Sequence, residues 1–178
     1  MVHAFNESSI SVSHRANIII WDSLAICEYL AEVYAHLRLW PESIHQRAQA
    51  RAICAEMHSG FHSLRSLCGM NIEANLADIG QRLWSEHQGL RTDVARIEGI
   101  WAMRTQQEGF LYGEFGIADA FYTPIVMRLL SYQLPISAQT QCYIQQVLTV
   151  PAVQKWMVQA KREHHFVTNE EPYRSQRT

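Results

Sequence analysis

The 178-residue sequence is short of paired cysteines, of clustered positive charge and of long apolar runs, and each shortage excludes a class of protein. Four cysteines lie too far apart for a C-x-x-C motif or for the dense framework of a small secreted domain, so reduced thiols are predicted. The 15 Lys and Arg residues are scattered among 17 Asp and Glu residues, without the basic stripe of a nucleic-acid-binding protein. No apolar run approaches the roughly 20 residues of a membrane span, and the N-terminal residues lack a signal-peptide pattern. We therefore expect a cytoplasmic protein without nucleic-acid or membrane partners.

Hydrophobic periodicity predicts a mainly α-helical chain that begins with a short strand. Residues 18–21 are β-branched and aromatic, as in a buried strand, and Ile10 and Val12 indicate a neighbouring strand. Asp22 and Ser23 are good N-cap residues and precede apolar residues at helical spacing. Three glycines among aromatic residues predict a loop over 108–116. Helices are predicted over residues 23–36, 43–67, 79–101, 117–130, 137–148 and 151–163.

Several segments occur in the order found in bacterial glutathione S-transferases. Residues 20–32, IWDSLAICEYLAE, resemble the last strand and helix of the thioredoxin-like domain of that family. Further segments resemble the second domain of the family: LWP at 39–41, AEMHSGF at 55–61, MN at 70–71, FLYG at 110–113 and IADAFYTP at 117–124. FV at 166–167 and EPYR at 171–174 resemble its end. The resemblance implies a glutathione-transferase C-terminal-like helical bundle over 42–165, preceded by a truncated thioredoxin-like α/β fragment over 1–38 and followed by a surface tail over 166–178.

The start of the first predicted helix is the candidate binding site. Backbone N–H groups and a hydroxyl at a helix N-terminus attract anions. The resemblance implies that Ser23 and its backbone hold the γ-glutamyl carboxylate of glutathione, the co-substrate, while Asp22 faces the α-amino group. The alternative is that Asp22 and Ser23 only cap the helix, which contributes about 1 kcal/mol.

Asp119 is predicted to be a structural carboxylate near the start of an apolar helix, where it can accept hydrogen bonds from unpaired N–H groups. The family has a serine or threonine three residues earlier that completes a capping box, whereas this chain has Gly116. Glycine is tolerated as a cap, so the helix is still expected to form. Pro124 lacks a backbone N–H and is predicted to kink this helix.

Met57, Phe61 and Arg65 recur at helical spacing in a segment that resembles the wall of the electrophile pocket of the family. The alternative is that this stripe is part of the core, which is the commoner use of methionine and aromatic residues. His58 and His62 have a spacing that can bind zinc, but no further ligands accompany them. We expect surface or pocket-lining histidines and no metal.

A catalytic residue is not identified in the sequence. The family uses a serine, cysteine or tyrosine in the first loop of the thioredoxin-like domain, and the roughly 17 residues before the predicted strand are too few for that loop and its following elements. Ser8, Ser9 and Ser11 are superficially similar to the serine-rich loop of the family, but no Arg-Pro follows them. The first proline is Pro41, so the cis-proline that precedes the last strand in the family is also missing.

Two functions are left open by this combination of features. The first is a homologue of detoxifying glutathione transferases that transfers the glutathione thiolate to a small electrophile, or isomerises a maleylacetoacetate-like substrate, and has little activity alone. The family implies a homodimer. The second is a non-catalytic helical dimerisation or binding module derived from a glutathione transferase.

Overall fold

The computed structural model describes residues 18–104, 106, 108–163 and 173. In these residues the chain forms α-helices, and a 3-10 turn, Ala35–Leu37, follows the first helix. None of these helices combines the length and the apolar character needed to cross a bilayer. The helices are α1 (Ser23–Val33), α2 (Ile44–Ser59), α3 (His62–Leu67), α4 (Ala77–Glu86), α5 (Gln88–Ala102), α6 (Ile117–Ser131), α7 (Ala138–Thr149) and α8 (Pro151–Glu163).

Helix α6 lies at the centre of the core. Eleven of its 15 residues are buried, which matches its nearly continuous apolar sequence, since a helix that is hydrophobic all round is a core helix. The ring of Tyr122 packs edge-on against Trp101 of α5 with a centroid separation of 5.9 Å, and its hydroxyl donates to the Ile53 carbonyl of α2 at 3.1 Å. Trp101 also contacts Tyr143 of α7 at 4.6 Å. The aromatic cluster and its hydrogen bond therefore join α2, α5 and α7 to α6.

The prediction of a strand over residues 18–21 is wrong, because these residues are not in a strand and pair with no other strand in the described part of the chain. Ile19 is 58% exposed and Trp21 is 69% exposed, so the run is not buried either. A strand needs a neighbour for its backbone N–H and C=O groups. The neighbour predicted around Ile10 and Val12 lies outside the described residues. Within residues 18–163 the α/β part of the predicted fold class is therefore not found where the structure describes the chain, whereas the mainly helical part is confirmed.

The two longest predicted helices are each divided in the structure. The 43–67 pattern breaks after α2, where Phe61 has a φ of 53°, in the left-handed region. Asp93 of α5 accepts the backbone N–H of Leu64 at 2.9 Å and so fixes the first turn of α3. The 79–101 pattern breaks at His87, where the Arg91 side chain folds back onto the carbonyls of Trp84 and Ser85 that end α4. Each break is fixed by a side chain that satisfies a helix end.

The helices over 117–130, 137–148 and 151–163 are confirmed within one residue at each end. Ser137 caps α7, with its hydroxyl accepting the Thr140 N–H at 3.2 Å, and Pro151 occupies the first turn of α8. The helix predicted over 23–36 is found as α1 and the 3-10 turn after it. The tail lies outside the described residues except for Tyr173, whose hydroxyl donates to the Leu67 carbonyl at 3.0 Å.

Candidate functional site

Asp22 is the N-cap of α1. Its Oδ1 atom accepts the backbone N–H groups of Leu24 at 2.8 Å and Ala25 at 3.2 Å, and its φ is 77°, an uncommon value for a residue other than glycine. Two of the N–H groups that begin the helix are therefore bonded to the protein's own carboxylate. The capping role considered from the sequence is present, and any ligand at this helix start must share the site with Asp22.

The second carboxylate oxygen of Asp22 contacts another helix. Oδ2 lies 2.9 Å from Nε2 of His58, in the last turn of α2, and both side chains are partly open to solvent. A cation is favoured at the C-terminal end of a helix, because the helix dipole is negative there. Asp22 thus joins the start of α1 to the end of α2. This pair was not predicted, since nothing in the spacing of residues 36 positions apart indicates a contact.

Ser23 is exposed beside Asp22, and its hydroxyl has no hydrogen-bond partner in the described part of the chain. A serine hydroxyl can donate one hydrogen bond and accept others. The start of α1 therefore carries the Asp22 carboxylate, which already accepts hydrogen bonds from the protein, next to the Ser23 hydroxyl, which can bond to a solute.

The three residues assigned to the electrophile pocket do not share one helix face. Phe61 lies in the break between α2 and α3, is 6% exposed and packs against Tyr122 with a centroid separation of 6.3 Å. The Arg65 side chain extends from α3 to the end of α2. Its Nη1 atom donates to the His58 carbonyl oxygen at 2.9 Å and lies 3.5 Å from the Met57 carbonyl oxygen. Met57 is partly buried against the core. Arg65 and Met57 are therefore neighbours of His58, whereas Phe61 is a core residue.

The zinc spacing of His58 and His62 does not produce a site on one helix, because His62 begins α3. Within the described residues there is no group of three or more His, Cys, Asp and Glu side chains that could hold a metal ion.

Two ion pairs hold α2 between its neighbours, and the sequence analysis identified neither. Arg51 of α2 donates to both oxygens of Glu28 of α1 at 2.7 and 2.8 Å. Glu56 of α2 accepts from Arg96 of α5 at 2.6 and 2.8 Å. The hydrogen bonds from Arg51 and Arg96 lower the pKa of Glu28 and of Glu56, so both carboxylates are ionised at neutral pH. The Arg51–Glu28 pair joins α1, whose N-cap is Asp22, to α2, and the Arg96–Glu56 pair joins α2 to α5.

Asp119 is 1% exposed and receives three hydrogen bonds. The donors are the backbone N–H groups of Leu111 and Gly116, both at 3.0 Å, and the Tyr143 hydroxyl at 2.8 Å. Burial raises the pKa of Asp119, while these donors oppose the rise. Because all three partners donate, the ionised form is the one that the site fits. Asp119 thereby joins the 110–116 loop, the start of α6 and α7.

Gly116 has a packing reason to be glycine. A Cβ atom at this position would lie 3.0 Å from the Leu39 carbonyl oxygen, which accepts the Ile117 N–H at 3.1 Å. The segment before α2 therefore packs directly against the start of α6. A serine or threonine here, as in the family that the sequence resembles, would crowd this contact.

A cleft of about 400 Å³ lies between residues 37–43 and residues 112–119. Its walls include Trp40, Tyr112 and Asp119 but none of Asp22, Ser23, Met57, Phe61 or Arg65. The cleft is therefore separate from the helix start that the sequence analysis assigned to ligand binding.

No protein-family model matches the chain. Its structure is similar to the crystal structure of a glutathione transferase homologue from Burkholderia gl BGR1 with bound glutathione, with a TM-score of 0.61 and 21% sequence identity. The match covers 84% of this chain and 71% of the homologue. The chain has a glutathione-transferase-like fold. The resemblance seen in the sequence is confirmed for the fold, whereas the truncation, the bacterial origin, the domain boundaries and the roles of the site residues stay predictions.

The cysteines of this glutathione-transferase-like chain give a prediction about thiol reactivity. Burial raises the pKa of Cys54 and Cys68 to about 12, and it also raises the pKa of the partly buried Cys27, whereas Cys142 is exposed. Because the thiolate is the reactive form, we expect a chromogenic disulfide reagent to modify Cys142 quickly and Cys27 slowly. Cys54 and Cys68 should react only after unfolding in urea. Loss of the fast phase in Cys142→Ser is the control, and native-state reaction of more than two thiols would contradict the packing.

Proposed function

We propose that the chain is a glutathione-transferase homologue that binds the γ-glutamyl end of glutathione at the start of α1. The observation that carries the proposal is the exposed Asp22–Ser23 pair at a helix start, in a fold similar to that of a homologue that holds glutathione. The Ser23 hydroxyl and the helix N-terminus attract the γ-glutamyl carboxylate, and the outer oxygen of Asp22 pairs with the α-amino group. A cytoplasmic location fits a protein with reduced thiols that uses glutathione.

The proposed reaction is transfer of the glutathione thiolate to a small electrophile, or glutathione-assisted isomerisation of a maleylacetoacetate-like substrate. Met57 and Arg65 are the proposed electrophile contacts, since they lie around His58, which itself contacts Asp22. Phe61 supports this wall from the core. We propose that turnover by this chain is weak, because no serine, cysteine or tyrosine among the described residues is assigned to stabilise the glutathione thiolate.

The second candidate is a non-catalytic dimerisation or binding module. It is favoured by a group of large apolar side chains that are exposed around α1 and the segment after it. Exposed apolar surface of this kind is typical of a protein interface. A homodimer is compatible with both candidates. The exposed residues are Ile18, Ile19, Trp21, Val33, Leu37 and Ile44.

Substitution of Asp22 by asparagine tests the binding site. Asparagine caps helices as well as aspartate does, so α1 should be retained. The charge that pairs with the ammonium group is lost, and we expect glutathione binding to weaken about tenfold, as measured by ligand-observed NMR titration. Asp78→Asn, which removes an exposed carboxylate from the first turn of α4, is the matched control and should bind as the wild type does.

The outcomes separate the parts of the proposal. Equal affinity in wild type and Asp22→Asn would remove Asp22 from the site. Absence of glutathione binding by the wild type would refute the transferase-like function and leave the non-catalytic module. Conjugation of glutathione to a chromogenic aryl halide at a rate well above the uncatalysed one would contradict the proposed weak turnover.

A further inference from the structure

The two oxygens of the Asp22 carboxylate have different partners. Oδ1 accepts the N–H groups of Leu24 and Ala25 and so belongs to α1. Oδ2 lies 2.9 Å from Nε2 of His58, a group that is cationic when protonated. An ionised carboxyl group offers about four lone-pair positions. Asp22 can therefore cap the helix with one oxygen while the other holds a cationic N–H donor.

The imidazole on Oδ2 can be exchanged for another donor without disturbing the fold around it. His58 lies in the last turn of α2, and the backbone of this turn is held by the Arg65 guanidinium, which donates to the His58 carbonyl at 2.9 Å. The His58 and Asp22 side chains are 46 and 39% exposed, so a solute can reach the pair. Rotation of the imidazole into solvent would leave the cap on Oδ1 and the Arg65 contact intact.

We propose that His58 competes with the ammonium group of a γ-glutamyl ligand for Oδ2 of Asp22. This inference rests on the proposed function, in which Asp22 faces that ammonium group. The imidazole and a primary ammonium group are both N–H donors, and both are directed to the outer oxygen because the helix uses the inner one. An imidazole that already donates to Oδ2 weakens what this oxygen offers a second donor, so a ligand with an α-amino group gains its full contact only after the imidazole leaves, and His58 lowers the affinity of the site for amino-bearing ligands.

The expected size of the effect follows from the exposure of the pair. Loss of a solvent-exposed ion pair changes an equilibrium by only about two- to fivefold. Removal of the imidazole in His58→Ala is therefore expected to tighten glutathione binding by about two- to fivefold. A ligand that lacks the α-amino group makes no use of Oδ2, and its affinity should stay unchanged.

The test compares glutathione with its desamino analogue, glutaryl-cysteinylglycine, which keeps both carboxylates and the thiol and lacks the α-ammonium group. Both are titrated by ligand-observed NMR into the full-length wild type, His58→Ala and His62→Ala. His62 is an exposed histidine at the start of α3 and controls for the loss of a histidine as such. His58→Gln, which keeps a side-chain donor without the charge, is measured alongside and should tighten binding less than His58→Ala.

Tighter binding of glutathione alone by His58→Ala, with His62→Ala unchanged, supports the competition. Equal or weaker glutathione binding by both His58 variants, in a protein whose wild type binds, overturns the competition and leaves the proposed function in place. Equal tightening for both ligands also overturns it, because the effect would then come from steric access. If neither the wild type nor any variant binds glutathione, the proposed function fails, and the competition fails with it.

Discussion

Asp119→Ala is expected to lower the free energy of unfolding by about 3 to 5 kcal/mol, because it leaves three buried donors without an acceptor. These donors are the N–H groups of Leu111 and Gly116 and the hydroxyl of Tyr143, all within 3.0 Å of the carboxylate. Asp119 is 1% exposed, so these donors are bonded to the protein and not to bulk water. In a chain of this length we expect the melting temperature to fall on the order of 10 °C.

Asp119→Asn is the matched variant for this prediction. Asparagine has nearly the same shape as aspartate, but one carboxylate oxygen is replaced by an amide NH₂ group, which is a hydrogen-bond donor. All three neighbours are donors, so only those that contact the remaining oxygen keep their hydrogen bond. We expect roughly half of the loss seen with alanine. Asp78→Ala, in the exposed first turn of α4, should cost less than about 1 kcal/mol. If urea unfolding showed Asp119→Ala and Asp78→Ala to be equally mild, the buried network around Asp119 would be wrong.

The helices that the sequence predicts well are defined by residues within or directly beside each helix. The α6 segment is apolar on all sides, and α7 and α8 begin with a capping serine and a first-turn proline. The prediction of a structural role for Asp119 rests on the same kind of signal, since its position near the start of an apolar helix indicates which N–H groups it can reach. In each case the residues that define the feature lie within a few positions of one another.

The features that the sequence did not predict depend on partners far along the chain. Residues 18–21 have the composition of a strand, but a strand exists only with a neighbour to bond to. The division of the 43–67 pattern depends on Asp93, which lies 29 residues from the Leu64 N–H that it accepts. The contact between Asp22 and His58 likewise joins residues that lie far apart in the sequence. Periodicity along one helix carries no information about such contacts.

At Gly80, as at Gly116, a backbone atom from a distant part of the sequence restricts the room for a side chain. It lies in α4, and a Cβ atom built on it would stand 1.8 Å from the carbonyl oxygen of Tyr132, just after α6. The same end of α6 is already held to α4, because the Leu76 N–H donates to the Ser131 carbonyl at 2.7 Å. The obstructing atom is backbone, so no side chain can rotate away to make room. Glycine is therefore required by the close approach of α4 to α6.

Gly80→Ala is expected to lower the free energy of unfolding by about 3 kcal/mol, since α4 must move away from α6 to admit the methyl group. Helix propensity alone favours alanine over glycine by about 0.5 to 1 kcal/mol. A decrease in the free energy of unfolding would therefore be due to the packing against α6 and not to helix propensity. Gly99→Ala is the matched control, because Gly99 lies in α5 with no atom within 4 Å of the added Cβ, and it should stabilise the protein by that amount. Urea unfolding of the two variants should therefore shift the midpoint in opposite directions. A shift to higher urea in both would show that the start of α4 does not rest on the end of α6.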